Sequence, residues 1–490
     1  MECIPSKAEV ERLLSSYNIV PVYREFTADA ITPVSAFLRI ADEAEAFLLE
    51  SVTGPEKVGR YSFIGTGPSL TFKSYGTKVE VTRRGESRCF EAADPLAEVE
   101  RIALGFKPAL LPTVRGMSGG LVGYMSYDVV RFIERLPNAP PDTLGCPDIY
   151  LGRFDTIVIF DHVKKTAQVV SNVVRDESSY EDAVERIEEI GARLNRGATP
   201  PVCPVYTLGP VTKPFASNFE KERFERAVER CKEYIAAGDI FQVVLSQRLE
   251  TPTTATPFDA YRALRIINPS PYMFLLKLEE LQLVGTSPEV MVKLEDGVVI
   301  ERPIAGTRPR GNTPEEDLAL EKDLLGDEKE LAEHTMLVDL SRNDVGRVAV
   351  PGSVVLDERM VIERYSHVMH IVSNVSGRLA PGRTPVDVLR ACLPAGTVSG
   401  APKVRAMEIL DELEPDRRGP YAGAVGLIDF NGNMNTCITI RTILFRGGKA
   451  YVQAGAGIVA DSVPEREYEE TLNKAKALLK AIQVAEEQLS

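Results

Sequence analysis

This sequence predicts an α+β fold with antiparallel pairing, rather than a doubly wound parallel sheet, from three observations. Two-residue turn signals stand between alternating apolar runs at Asp296-Gly297, Asn431-Gly432 and Gly447-Gly448, which is hairpin chemistry. Helix starts are marked at Thr313-Pro314-Glu315-Glu316 and Ser462-Val463-Pro464-Glu465, each with a hydroxyl residue three positions before a glutamate. Strand-like and helix-like segments are interleaved along the chain, and hairpins between neighbours favour antiparallel sheets with helices packed on them.

Taken in order, Leu70 to Tyr75 and Thr77 to Thr82 alternate around Gly76, and GGLVGYMSY at 119 to 127 is strand-like. Helical spacing returns from Asp182 to Leu194. Asn195 to Ser217 holds five prolines and no helical period, so it reads as an extended connector between an N-terminal region, 1–194, and a second region, 218–490. There Phe219 to Ala237 is amphipathic and DIFQVVLSQRLE at 239 to 250 reads as a strand.

Of the 490 residues 44% are hydrophobic and 26% charged, enough for one large or two ordinary cores. The net charge of -14 argues against nucleic acid and anionic lipid, so an anionic ligand needs locally placed cations or a metal. Seven cysteines, odd in number and without a Cys-x-x-Cys pair, fit reduced thiols in the cytoplasm. MECIPSKAEVERLL has neither a basic start nor an apolar stretch, and no run approaches the ~18 apolar residues of a membrane span. Neither secretion nor membrane insertion is expected.

Hairpin arithmetic then gathers candidate groups. A turn at Asp296-Gly297 sets Glu289 roughly opposite Ile304, beside PIAGTRPRG at 303 to 311. A turn at Asn431-Gly432 sets Tyr421 near Thr442, and one at Gly447-Gly448 sets Arg441 near Ala454. Tyr421, Arg441 and the AGAG run at 454 to 457 should therefore share one end of three adjacent strands. A phenol, a guanidinium and approachable N–H groups make a carboxylate clamp, while the plain alternative is a solvated arginine beside a tight sheet crossing.

In EKELAEHTMLVDLSRND, 328 to 344, Glu330 and Glu333 prolong the helical stripe of Leu337 and Leu340. Buried there they would need a cation, a proton or water; at a helix end in solvent they would need nothing. Glu470 and Lys474, spaced i,i+4, read as a surface ion pair, although carboxylates from two helices would also suit Mg²⁺. His370 is either a core histidine or an acid–base group. GTVSGAPKVRAMEILDELEP, 396 to 415, enters an amphipathic helix whose N-terminus could meet an anion.

Eleven ordered blocks stand in the chain: DIFQVVLSQR, NPSPYMF, GTSPEV, PIAGTRPRG, ELAEHTMLVDLSRND, RYSHVMH, GTVSGAPK, YAGAVG, CITIRT, QAGAGIV and EYEETLNKA. Together they resemble the chorismate-utilising enzymes, and among them the anthranilate synthase component I family. The resemblance spans nearly the whole chain and is densest from Phe219 to Ala477. It implies a sandwich of large antiparallel sheets with helices outside, and an aminase that turns chorismate and ammonia into anthranilate and pyruvate.

Carried over by position, the resemblance implies Mg²⁺ on Glu333 and Glu470. It implies substrate contacts at Gly306, Thr307, Tyr421, Arg441, Gly455, Ala456, Gly457 and Lys474, with Thr397 close by. Glu289 resembles the acid that protonates the departing ring hydroxyl, His370 the group assisting pyruvate elimination, and Glu330 a proton-transfer carboxylate. Glu50, Ser51, Pro271, Tyr272 and Met273 match the elements that bind tryptophan as inhibitor, although they would also serve as packing between the two regions. Related isochorismate and salicylate synthases carry a lysine where this chain has Gln242. Aminodeoxychorismate synthases, the alternative reading as component I, commonly carry one where it has Ala305. No glutaminase segment is recognisable, so the resemblance implies a separate glutamine amidotransferase subunit (component II) in a heterotetramer of two large and two small chains.

Overall fold

The computed structural model describes every residue except 1, 42–44, 52–58, 197–199, 201, 205–208, 366–367 and 490. Parts of the proline-rich connector, and Ser366 and His367 of the RYSHVMH block, thus lie outside the described residues. Two twelve-stranded sheets dominate, and neighbouring strands within them run antiparallel wherever they pair. Each sheet draws strands from both 1–194 and 218–490. In the first, the Ala46–Glu50 strand from the N-terminal region pairs with Tyr272–Lys277; in the second, Gly120–Met125 pairs with Ala424–Asp429. The two regions are therefore interwoven through shared sheets. The described end of the connector is tied down by Lys213, paired with Glu486 at 2.7 Å, and by Ala216–Ser217, which joins the sheet edge.

Strict alternation explains how both faces of each sheet are buried. In Tyr272–Lys277, Phe274 and Leu276 enter the layer between the sheets, while Met273 and Leu275 enter the core outside it. In Gly120–Met125, Val122 and Tyr124 point inward to the same middle layer, and Leu121 and Met125 outward. Helices cover the outer faces: Tyr180–Arg196, Pro257–Ile267 and Pro464–Val484 on one sheet, Glu328–Gly346 and Pro385–Cys392 on the other. The result is a helix–sheet–sheet–helix sandwich, the α+β class expected. No helix among the described residues is long and apolar enough to cross a membrane. Cys3, Cys146, Cys231, Cys392 and Cys437 are buried and unbridged.

Local signals hold with two adjustments. Thr313 caps Pro314–Gly326 by accepting from the Glu316 N–H. The last helix, however, starts at Pro464 with Val463 as its cap residue, and the Ser462 hydroxyl accepts from the Val459 N–H instead. Proline at the first helical position fixes the start one residue later than a Ser462 cap would. At Asp296-Gly297 the register is as expected, Lys293 opposite Ile300, but the ladder ends there. Pro303 has no N–H to continue it. Ile304–Pro309 pairs instead with Val368–Arg378, so Ile304 faces Val372 and not Glu289.

Candidate active site

The glycine run lies in the Lys449–Ile458 strand, where Gly455, Ala456 and Gly457 pair with Ser246, Leu245 and Val244. Side chains from other elements close on it so tightly that a Cβ on Gly455 would stand 2.9 Å from the Tyr421 Oη, and one on Gly457 2.7 Å from the Gln242 Nε2. Lys474 Nζ donates to the Gly455 carbonyl at 2.9 Å and pairs with Glu470 at 2.7 Å, the i,i+4 pair expected. Tyr421, Arg441 and the glycines thus do meet, but not at one end of three adjacent strands. Tyr421 precedes a strand of the second sheet, whereas Arg441 and the glycines belong to the first. The chain crosses between sheets after Met434–Ile438, and Arg441 takes a positive φ of 50° just before Thr442–Arg446 begins.

Arg441 is mostly buried, and burial pulls its pKa down, although Tyr421 and Glu470 oppose that. Among the described residues it forms no ion pair; its Nη1 makes only a long contact, 3.5 Å, to the Lys474 carbonyl. A desolvated guanidinium without a carboxylate is a site for an anionic ligand. The solvated-strand reading of Arg441 therefore falls, because the sheet crossing carries its side chain inward.

Two carboxylates approach the same strand. Glu333, on the Glu328–Gly346 helix, accepts from Gln242 Nε2 at 3.2 Å, and Gln242 overlies Gly457. Glu470, on Pro464–Val484, is joined to Gly455 through Lys474. Gly455 and Gly457 are two residues apart, roughly 7 Å along a strand. Among the described residues no group of three or more metal-ligating side chains is gathered. Two hard carboxylate donors from different helices nevertheless suit Mg²⁺, which takes one or two carboxylates and completes its octahedron with water and substrate oxygens.

Glu330 is only half-buried and is anchored by Arg308 at 3.3 Å; burial and Glu333 push its pKa up. Its carboxylate lies over Gly306, where a Cβ would stand 3.2 Å from Oε2 and where φ is +65°, a conformation glycine adopts freely. The Gly306 carbonyl is 2.9 Å from His370 Nδ1, and the Thr307 hydroxyl is 3.1 Å from the same nitrogen. These contacts fix the imidazole with Nδ1–H directed at the carbonyl, leaving Nε2 as the free nitrogen. Burial holds His370 below its ordinary pKa, so the ring is neutral at pH 7.

Glu289 stands apart, between the end of Gln282–Ser287 and the start of Val290–Glu295. It is buried, and burial pushes its pKa to about 8 while the Thr397 hydroxyl pulls the other way. At pH 7 it is a neutral carboxylic acid able to give up a proton. Lys403 does not serve the anion site read from the 396–415 segment. Its Nζ turns inward to Asp344 at 2.5 Å, and Gly400–Ala401 is consumed by pairing with Gln242 and Val243.

Glu50, Ser51, Pro271, Tyr272 and Met273 all line one cavity of about 690 Å³ between the sheets. Glu50 is held by Tyr261 at 2.5 Å and Arg265 at 3.2 Å, and the buried Ser51 Oγ has no partner among the described residues. Linear reading missed Arg308, which ties Glu330 to Asp327 and Asp323, and Arg418, which pairs with the buried Glu414. A lone arginine carries no signal until its partners, here on other elements, are placed.

A family model described as chorismate binding enzyme matches residues 44–480. "Anthranilate synthase component 1" of Acetivibrio thermocellus is 51% identical over 489 residues, 99% of each chain, and that of Aquifex aeolicus (strain VF5) is 51% identical over 487 residues, 98% of each. The chain belongs to the anthranilate synthase component 1 family. Among solved structures, anthranilate synthase component I from Streptococcus pneumoniae TIGR4 is 37% identical with a TM-score of 0.78, covering 93% of this chain and 99% of that one. The menaquinone-specific isochorismate synthase of Escherichia coli, 19% identical with a TM-score of 0.72 over 97% of this chain and 98% of its own, shares the fold. Arg441, Tyr421, Glu333 and Glu470 thus converge on the glycine strand of the first sheet, while the neutral Glu289 lies apart from them.

Proposed function

We propose that this chain is the aminating subunit of a cytoplasmic anthranilate synthase, converting chorismate and ammonia into anthranilate and pyruvate. The observation that carries the reading is the mostly buried Arg441, without an ion pair among the described residues, beside Tyr421 and the glycine strand, in a chain about half identical to its component 1 relatives along nearly its whole length. Arg441, Tyr421 and the N–H groups around Gly455 to Gly457 receive a substrate carboxylate, with Gly306, Thr307 and Lys474 at the margins. Glu333 and Glu470 would hold Mg²⁺, which when bound supplies positive charge at the ring carboxylate.

Glu289 protonates the C4 hydroxyl as it leaves, because its buried carboxyl still holds a proton at pH 7. The neutral His370, with Nε2 free, takes a ring proton as pyruvate is eliminated, and Glu330 and Thr397 assist proton movement beside these groups. The nucleophile comes from outside. Ala305 offers no amine, Gln242 presents an amide bound to Glu333, and Lys474 is engaged by Glu470 and the Gly455 carbonyl. A separate glutamine amidotransferase subunit, component II, would supply ammonia, in a heterotetramer of two large and two small chains.

With chorismate, Mg²⁺ and ammonium, the purified chain should develop anthranilate fluorescence; with glutamine in place of ammonium it should not. No fluorescence from folded protein with ammonium would overturn the aminase assignment, and turnover on glutamine alone would overturn the need for a partner. A 4-amino product that retains the enolpyruvyl group by mass would instead identify an aminodeoxychorismate synthase component I.

We assign the 690 Å³ cavity to tryptophan as feedback inhibitor. Tyr272 and Pro271 offer apolar walls, the paired strand residues Glu50 and Met273 border the cavity, and the Ser51 hydroxyl, without a partner among the described residues, offers a polar group for the amino-acid end. Ser51→Ala should raise the tryptophan concentration for half-inhibition about tenfold, the worth of one hydrogen bond to a charged group, with uninhibited kcat unchanged. Inhibition curves that superimpose would remove Ser51 from the site.

A further inference from the structure

Beside Glu289 lies a small cavity of about 20 Å³ whose polar lining includes Glu289, Glu301, Ser341, Asp344 and Thr397. A space of that size holds one water, provided polar partners are present. They are present and unmet. Glu301 Oε1 and Asp344 Oδ1 are buried without a hydrogen-bond partner among the described residues, the two groups are only 7% and 3% exposed, and the Thr397 hydroxyl faces the Glu289 carboxyl. Two orphaned carboxyl oxygens around one water-sized hole would be costly if it were dry. Asp344 is joined through its other oxygen to Lys403 at 2.5 Å, and Lys403 reaches the surface, its side chain 12% exposed.

We propose that this cavity holds a water linking Glu289 to Glu301 and Asp344, and that this cluster returns a proton to Glu289 after each turnover. The inference rests on Glu289 being the acid that protonates the leaving hydroxyl. As the C4–O bond breaks, Glu289 gives its proton to that oxygen and becomes a carboxylate. The water passes a proton to Glu289 and takes the one held by Glu301. Asp344 then hands a proton from the Lys403 ammonium to Glu301, and Lys403 is reprotonated by solvent. Every proton that leaves is replaced and no other bond changes.

The groups facing Glu301 agree with this role. Asp344 repels its charge, while Lys403 favours it; Ser341 and Cys392 contact the carboxyl from the helices packed on it, and Arg347 faces Asp344. Burial and the neighbouring Asp344 push the Glu301 pKa up, as burial does for Glu289, so both carboxyls can hold a proton. Arg302, next in sequence, is spent on Glu358 and Glu363.

Glu301→Gln keeps the shape and removes the transferable proton. In the ammonium assay its kcat should fall about tenfold or more with KM for chorismate unchanged, and the solvent deuterium isotope effect on kcat should rise. Infrared spectra of the parent at pH 7 should show protonated-carboxyl absorption that Glu301→Gln lowers, leaving the share that Glu289 contributes. A folded Glu301→Gln chain with parental kcat, pH profile and isotope effect overturns the relay. If that variant does not fold, Asp344→Asn is read the same way, by kcat and isotope effect. Glu289→Gln separates the two readings. If it stays active, the acid assignment fails and the relay with it; if it is inactive while Glu301→Gln matches the parent, only the relay fails.

Discussion

Glu289→Gln should lower kcat for anthranilate formation by about 10²- to 10⁴-fold, the usual contribution of a positioned general acid, while KM for chorismate stays within about twofold. The amide fills the same space and can still meet the Thr397 hydroxyl, but it has no proton to release. The same group should shape the pH profile. Because burial holds Glu289 at about 8, parental kcat should be flat near neutrality and decline above that pH as the acid ionises. The stability sign is the reverse of the usual carboxylate. Its folded pKa lies above the ordinary 4.5, so folding takes up a proton between 4.5 and about 8, and its contribution to stability falls as pH rises through that window. Glu289→Gln should therefore flatten the decline of stability across those pH values. Activity within threefold of the parent, or an unchanged alkaline limb, would remove Glu289 from the acid role.

Arg418→Met should cost about 3–5 kcal/mol of stability, read from urea denaturation, the penalty for stranding one half of a buried ion pair. Arg418 is among the largest fully buried side chains. It donates to Glu414 at 2.7 and 2.8 Å, to the Val398 carbonyl at 2.6 Å and to the Val244 carbonyl at 2.7 Å. Its guanidinium also lies 4.7 Å from the Tyr127 ring centre and 5.6 Å from that of Tyr421. Glu414 in turn accepts from the N–H and hydroxyl of Ser246, opposite Gly455. One side chain thus fixes Tyr421, the segment carrying Thr397 and the strand beside the glycines, so kcat should fall along with stability. Replacing both partners, Arg418→Met with Glu414→Leu, should recover much of the loss, since a well-packed apolar pair is often no worse than a buried ion pair. A single variant as stable as the parent would show that the pair does not hold the site together.

Much of the scaffold was legible in the chain because its signals are local. At Gly447-Gly448 the turn sets Ile443 opposite Val452, the register read from sequence. At Asn431-Gly432 the loop closes between Asp429 and Asn433, one residue wider than a two-residue turn, and every pair beyond it shifts by one: Ala424 faces Ile438. Tyr421 still reaches Gly455, not along one sheet but across the two, because the chain crosses between the sheets after Met434–Ile438. The Glu289–Ile304 juxtaposition did not survive, because Pro303 ends one ladder and lets the next strand choose another partner.

The sequence by itself determined the antiparallel α+β class, the helix starts, the period-two burial of the strands and, through its ordered blocks, the family. These rest on hydrogen bonds and side-chain directions set within a few residues. Only the tertiary structure decided that Arg441 is mostly buried with no ion pair among the described residues, that Lys403 turns inward to Asp344, and that Glu289 adjoins a water-sized hole lined by Glu301 and Asp344. Glu289, Glu301, Asp344 and Thr397 lie on separate elements, and the raised pKa of each of the three carboxyls comes from what surrounds it after packing. Desolvation is a property of the closed core, so no local pattern in the chain could have reported it.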